Sequence, residues 1–226
     1  MAVFYIVATP IGNLEDITLR AIRVLQEVDI IACEDTRHTL KLLNHLNIQK
    51  KLISCHAQDE ERGSSKIVEL LNEGRTVAYC SDAGTPCMSD PGILAVKRAR
   101  DAGHTIIPVP GVSAFTTLIS AGGIFFKSVT FEGFLSVKPG KRRARLTELM
   151  SRPEACVIYE SPFRIVKLLK EIADIDSERL ICLGRELTKV HEEIITGTVQ
   201  NVLDDFEHRD SIKGEFSVLV SGTKKE

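Results

Sequence analysis

Residues 76–102 constrain the fold of this chain more than any other stretch. Thr76-Val77-Ala78-Tyr79-Cys80 has the continuous apolar character of a strand buried on both faces. It runs into Ser81-Asp82-Ala83-Gly84-Thr85-Pro86-Cys87-Met88-Ser89-Asp90-Pro91-Gly92, which carries two Gly, two Pro and two Asp. Residues 93–102 then read as a helix, with Pro91 suited to its first turn. Strand, loop and helix in that order belong to an α/β sheet. The loop lies at the carboxyl end of its strand, where such folds place ligands. Its restricted backbone suits close approach to a ligand; a rigid connector with capping Asp and Ser is the plain alternative.

The same alternation recurs on either side. Residues 3–8, 30–33, 52–55 and 105–109 read as strands. Ile17, Ala21, Ile22, Leu25 and Val28 recur at helical spacing, with Asp16 as cap, and helices are expected over 38–46 and 64–73, the latter closed by Gly74. Consecutive βα units predict a mostly parallel sheet covered on both faces. A helix over 113–121 and the pair Gly122-Gly123 place a domain boundary, giving an N-terminal domain of residues 1–122 and a C-terminal domain of residues 123–226. The second half opens with a strand over 128–134, a basic helix over 141–150, a strand over 155–159 and a helix over 162–173. Strand-like runs at 180–184, 190–196 and 216–220 follow, with a helix over 199–206 before the last. Strands without intervening helices predict antiparallel pairing and a mixed sheet. The expected fold class is therefore α/β, in two domains.

Composition removes several alternatives. A net charge of -2 provides no overall basic field for nucleic acid. Cys33, Cys55, Cys80, Cys87, Cys156 and Cys182 are scattered, without a C-x-x-C pair, as in a reduced, cytoplasmic protein. The start lacks the basic leader of a secretory signal, and the most apolar stretch, 111–126, is too short and broken to span a bilayer. Trp is absent and aromatics are few, which argues against a stacking sheet of the RNP type. No G-x-x-x-x-G-K-[ST] or G-x-S-x-G occurs, and the six His show no metal-ligand spacing, so no metal is expected.

Two more glycine-bearing loops end strands: Thr9-Pro10-Ile11-Gly12-Asn13-Leu14 and Pro108-Val109-Pro110-Gly111-Val112-Ser113-Ala114. Each alone is an ordinary turn, with Ser113 as a helix cap; the three together point to a small-molecule site. Glu34-Asp35-Thr36-Arg37 also ends a strand. Two readings of it stay open: a functional charge cluster, or a surface turn in which Asp35 caps a helix starting at Thr36. Tyr159-Glu160-Ser161-Pro162-Phe163-Arg164 and Arg185-Glu186-Leu187-Thr188-Lys189 end strands in the second half, as substrate-facing groups or as salt-bridged turns. Lys138-Pro139-Gly140-Lys141-Arg142-Arg143-Ala144-Arg145 is a strong basic run without counter-charges close in sequence, which favours phosphate contacts by Lys138, Lys141, Arg142, Arg143 and Arg145.

Taken in order, these motifs resemble the tetrapyrrole methylase superfamily, and within it the branch that methylates the 2′-hydroxyl of a cytidine in small-subunit ribosomal RNA. The resemblance rests on residues 7–18, 34–39 and 81–92, on Pro110-Gly111, Phe131-Glu132-Gly133-Phe134-Leu135, Tyr159-Glu160-Ser161, residues 185–189 and Lys213-Gly214-Glu215, and spans nearly the whole chain. It implies two α/β domains, S-adenosylmethionine as cofactor in a cleft between them, and a homodimer. It places cofactor contacts at Pro10, Ile11 and Gly12, at Asp82, Ala83, Gly84 and Thr85, at Ser113 and Ala114, and at Tyr159, Gly214 and Glu215. Many members carry a further small C-terminal domain, whereas this sequence stops at Glu226; the basic helix and the dimer are then expected to supply the phosphate contacts. The implied reaction is in-line transfer of a methyl group to a ribose oxygen, served by positioning and a general base. Asp35, Glu186 and Lys189 are the candidate bases, with Arg37 and Arg185 holding phosphate or ribose. A tetrapyrrole-like acceptor, or a non-catalytic module binding the cofactor or RNA, are the alternatives.

Overall fold

Short apolar runs separated by amphipathic helices build the first half of the chain. The structure is a computed structural model and describes residues 2–223. Residues Met1–Ser113 form one unit and Ala114–Glu226 a second.

In the first unit, β1 (Val3–Val7), β2 (Ile30–Cys33), β3 (Lys51–Ser54), β4 (Val77–Cys80) and β5 (Thr105–Val109) form one sheet in the order β3-β2-β4-β1-β5. Every pairing is parallel. Each residue of β2 and β4 is buried, as continuous apolar runs require when both faces are covered. The helices α1 (Leu19–Glu27) and α2 (Thr36–His45) cover one face through Ala21, Val24, Leu25 and Leu43. The other face packs against α3 (Glu60–Asn72) and α4 (Ile93–Asp101) through Ile67, Leu71, Ala95 and Ala99.

Two helix starts differ from expectation. Thr18, not Asp16, caps α1, its hydroxyl accepting from the Ala21 N–H at 3.0 Å, while Asp16 ends a 3-10 turn capped by Asn13. Pro91 precedes the cap of α4 instead of entering its first turn. Gly92 is that cap, with φ at 122°, and a Cβ there would meet the Tyr79 ring at 2.7 Å. The orphan amides are satisfied from another helix: a Glu60 carboxylate oxygen accepts from the N–H groups of Gly92 at 2.8 Å and Leu94 at 3.2 Å.

The second unit opens with α5 (Ala114–Ala121), so the boundary falls earlier than the glycine pair suggested. Leu118 of α5 is buried, and a Cβ on Gly122 would press on Leu219 and Cys182, so this segment rests on the second sheet. That sheet comprises β6 (Val129–Phe134), β7 (Ala155–Glu160), β8 (Leu180–Arg185), β9 (Glu193–Thr198) and β10 (Phe216–Val220), in the order β6-β7-β10-β8-β9. β6 and β7 are parallel; the other pairings are antiparallel, as expected where strands follow without crossover helices. The helices α6 (Pro139–Met150), α7 (Ile165–Ala173) and α8 (Val199–Glu207) bury Leu146, Leu149, Leu168, Ile172, Val202 and Phe206 in one core. Among the described residues, no helix is long and apolar enough to cross a membrane.

Candidate functional site

Strand order dictates where the first unit opens. The chain leaves β1 toward β2 and leaves β4 toward β5, so these neighbours send their connections to opposite faces. Such a topology places the usual ligand position of open α/β sheets at their carboxyl ends. The loops expected there do meet. Thr9 and Gly84 form an isolated antiparallel bridge, Thr9 N donating to Gly84 O at 2.9 Å and Gly84 N to Thr9 O at 3.0 Å. The Thr9 hydroxyl donates to Ser81 O at 3.2 Å, and the Thr85 hydroxyl to Val112 O at 3.0 Å.

Gly84 sits at the junction with φ at 81°. A Cβ there would lie 3.2 Å from Ile11 Cγ2, 3.6 Å from Val112 O and 3.9 Å from Ser113 Cα. Thus Pro10, Ile11, Gly12, Asp82, Ala83, Gly84, Thr85 and Ser113 come from three loops stitched into one backbone-rich cradle. Ala114, the next residue, already begins α5.

The acidic turn after β2 joins this cradle. Asp82 accepts from the Asp35 N–H at 2.9 Å. Asp35 caps α2, accepting from Arg37 N at 2.8 Å, and its carboxylate is forked by the Arg37 guanidinium at 3.1 and 2.8 Å. Hydrogen bonds from Arg37 lower the Asp35 pKa to about 2. The capping reading left open for Asp35 is therefore realised, and the carboxylate is weakly basic. Two carboxylates outside the expected site set behave oppositely. Burial raises the pKa of Glu34, aided by the charge of Asp82. Burial, then the Glu34 charge, raises that of Asp90 to about 6. An open cavity of about 480 Å³ adjoins Glu34, lined also by Asp35, Arg37, Ser54, His56 and Asp82.

In the second unit, β6, β7 and β8 all point their carboxyl ends the same way, and β10 enters from that end. Tyr159, Glu186, Lys189, Gly214 and Glu215 therefore share one edge of the sheet. Glu186 and Glu215 are cross-linked: Glu186 N donates to Glu215 O at 3.0 Å, and Glu215 N to Glu186 Oε1 at 2.9 Å. Lys189 Nζ bridges the two carboxylates at 2.8 and 3.0 Å. Gly214, with φ at 100°, makes room, since a Cβ there would sit 2.5 Å from Glu186 Cγ.

Burial works against the Lys189 ammonium, yet its bonds to Glu186 and Glu215 outweigh this and hold its pKa above the ordinary value. Burial likewise disfavours the Glu186 carboxylate, but Lys189 and the Glu215 N–H win and lower its pKa. The two carboxylates thus favour the protonated form of Lys189. Arg185 donates to Lys213 O at 2.7 Å and reaches Glu193 at 3.4 Å.

The basic run divides. Arg142 is 2% exposed and pairs with Glu160 at 2.7 Å and Glu171 at 2.6 Å. Arg145 pairs with Glu132 at 2.6 Å and Glu148 at 2.7 Å. One counter-charge, Glu148, lies three positions beyond Arg145 in α6; the others arrive from β6, β7 and α7, and Arg142 is buried away from solvent. Lys138, Lys141 and Arg143 are exposed.

Comparison with known proteins agrees with this architecture. The family model for Tetrapyrrole (Corrin/Porphyrin) Methylases matches residues 3–203. A Borrelia garinii protein named Ribosomal RNA small subunit methyltransferase I is 47% identical over 96% of this chain and 97% of its own length. A Bacillus subtilis protein of the same name is 42% identical over the whole of this chain and 77% of its own. Among solved structures, a cobalt precorrin-4 methyltransferase aligns with a TM-score of 0.72 at 19% identity, covering 97% of this chain and 94% of its own. The uroporphyrin-III-C-methyltransferase of Thermus thermophilus gives 0.68 at 20%, covering 98% and 94%. At such identities the solved structures speak for the fold alone.

Proposed function

The chain belongs to the tetrapyrrole (corrin/porphyrin) methylase family, and from that premise we propose that it transfers a methyl group from S-adenosylmethionine to the 2′-hydroxyl of a cytidine in small-subunit ribosomal RNA. The observation that carries this reading is the near full-length identity of 47% and 42% to proteins named for methylating small-subunit ribosomal RNA. A tetrapyrrole acceptor is suggested by the family's description alone, since the solved structures, about 20% identical, speak only for the fold. A homodimer working in the cytoplasm completes the reading.

The chain fits the cofactor in a specific way. Thr9 to Gly12, Asp82 to Thr85 and the Val112–Ser113 backbone form a cradle that side chains at Gly84 would fill. A glycine-bearing cradle of this kind allows close backbone approach by an amino acid and an adenosine. When bound, S-adenosylmethionine supplies an activated methyl group. The protein's own contribution is positioning and charge.

In this reading Tyr159, Gly214 and Glu215 are further residues that contact the cofactor, and Arg37 contacts phosphate or ribose. Of the three candidate bases, Lys189 serves best as the cation that fixes Glu186, since two carboxylates keep it protonated. Asp35 is tied up as a helix cap and by Arg37. Glu186 is then the remaining candidate to accept the ribose proton, although Lys189 and the Glu215 N–H lower its basicity as Arg37 lowers that of Asp35. The test is to incubate tritiated S-adenosylmethionine with small ribosomal subunits lacking the modification, digest the RNA and separate the nucleosides. Label in 2′-O-methylcytidine supports the reading, and label confined to base-methylated nucleosides or absent from RNA refutes it.

A further inference from the structure

One surface of the second unit is unusual in carrying exposed aromatic rings beside free cations. Phe163 is 95% exposed and Phe134 is 56% exposed, and Val137 between them in sequence is also open. Water-exposed phenylalanines of this kind need an explanation when they cluster, and the fold makes these cluster. Phe134 ends β6 and pairs in register with Tyr159 of β7. Glu160 follows Tyr159 and binds Arg164, the neighbour of Phe163, at 2.7 Å, and Arg142 in the first turn of α6 at 2.7 Å. The end of β6, the end of β7 and the starts of α6 and α7 are thereby drawn to one point. Phe134, Val137, Lys138, Lys141 and Phe163 all belong to these joined segment ends.

Phe134 is held, not merely exposed. The register of β6 against β7 shifts between Phe131 and Gly133, a bulge that resets which side chains face outward. Phe134 then packs edge-on to Tyr159 at 5.8 Å between ring centroids, Tyr159 to Phe131 at 5.0 Å, and Phe131 to Phe115 at 5.3 Å. Phe134 is the solvent end of a braced aromatic row. A fixed ring loses little conformational freedom when something stacks on it.

Charge selects the partner. Among the described residues, the side chains of Lys138, Lys141 and Arg143 pair with no carboxylate, whereas Arg142, Arg145 and Arg164 beside them are all neutralised by Glu160, Glu171, Glu132 and Glu148. The carboxylates of this corner are consumed internally, and an apolar surface with unmatched positive charge remains. Aromatic rings beside lysine and arginine fit unpaired nucleotides, with bases on the rings and phosphates on the cations. The shortage of aromatics argues against a sheet-face platform, and this surface is not one: its rings stand at strand and loop ends.

We propose that Phe134 and Phe163, with Lys138, Lys141 and Arg143, form a docking surface for a single-stranded segment of RNA. This rests on the RNA reading above and deepens it by naming where unpaired bases stack.

The experiment measures binding of a fluorescent 20-nucleotide single-stranded RNA and of the same sequence as a duplex to the full-length protein. Wild type, Phe163→Ala, Phe134→Ala and the triple variant K138A/K141A/R143A are compared. Base stacking of the usual strength predicts a loss of single-strand affinity of roughly 5- to 150-fold for Phe163→Ala. Duplex binding should change less than twofold. The triple variant should flatten the dependence of log affinity on log salt by about two units. S-adenosylmethionine affinity, measured by calorimetry on Phe163→Ala, should stay at the wild-type value, which shows that the fold is intact.

Unchanged RNA affinity in Phe163→Ala and Phe134→Ala overturns the docking surface while leaving RNA methylation standing. Wild-type protein that binds neither RNA and methylates none overturns both. Sedimentation decides a rival occupant: if Phe163→Ala converts a dimer to monomers, the patch is an interface between copies and the proposal fails.

Discussion

Glu160 offers the sharpest perturbation of the second unit. It is 1% exposed, and its two carboxylate oxygens serve Arg142 at 2.7 Å, Arg164 at 2.7 Å and the Ser161 N–H at 2.8 Å. Glu160→Gln keeps the shape, removes the charge and turns one acceptor into a donor aimed at a guanidinium. Breaking a buried ion pair from one side costs about 3–5 kcal/mol, because the remaining charge is left uncompensated. Arg164 is partly exposed and can turn to water, while Arg142 cannot. Arg142 does retain Glu171 at 2.6 Å, which places the expected cost at the lower end, about 3 kcal/mol. At roughly 4 °C per kcal/mol for a domain of this size, the thermal transition of the second unit should fall by about 12 °C. Urea denaturation and calorimetry measure it, with Glu171→Gln as a milder control because Glu171 is partly solvated. A cost below about 1 kcal/mol for Glu160→Gln would refute the view that Glu160 organises this corner.

Three further outcomes are expected. Asp90 has a folded pKa of about 6 against an ordinary 3.8, so the native state favours its proton and ionisation works against folding; Asp90→Asn should gain nothing below about pH 4 and up to about 3 kcal/mol above pH 7, and a gain independent of pH in urea titrations would contradict this. Gly214→Ala brings a methyl group to 2.5 Å from Glu186 Cγ at a φ of 100°, so stability should drop by about 1–3 kcal/mol, and an unchanged denaturation midpoint would count against the Glu186–Lys189–Glu215 arrangement. Glu60→Ala removes the acceptor for two amides at the start of α4, which should cost about 1 kcal/mol and speed hydrogen exchange at Gly92 and Leu94; protection equal to wild type there would show the cap to be idle.

Much of this molecule was legible in the sequence because its signals are local. Ile30–Cys33, Thr105–Val109 and Phe216–Val220 are short, mainly apolar runs and form strands with the expected bounds. Three loops rich in glycine and proline marked strand ends, and the bridge between Thr9 and Gly84 is what such loops do when strand order brings them together. What stayed hidden depends on distant residues. Glu60 caps a helix more than thirty positions away, so the eye falls on Pro91, which lies outside the helix. Arg142 reads as a free cation until Glu160 and Glu171 are folded against it. Lys189 meets two carboxylates, and one of them, Glu215, lies 26 positions away in sequence. Glu34 and Asp90 gain their raised pKa values from burial, which no short motif reports.

The central claim is that the stitched loops of the first unit hold the methyl donor. Calorimetric titration of S-adenosylmethionine into wild type and Asp82→Ala tests it most directly. Asp82 ties the cradle to the β2 turn through the Asp35 N–H, so the variant should keep its unfolding transition near that of wild type and lose affinity by tenfold or more. Equal affinity in the two proteins, or no binding by wild type, would contradict the account.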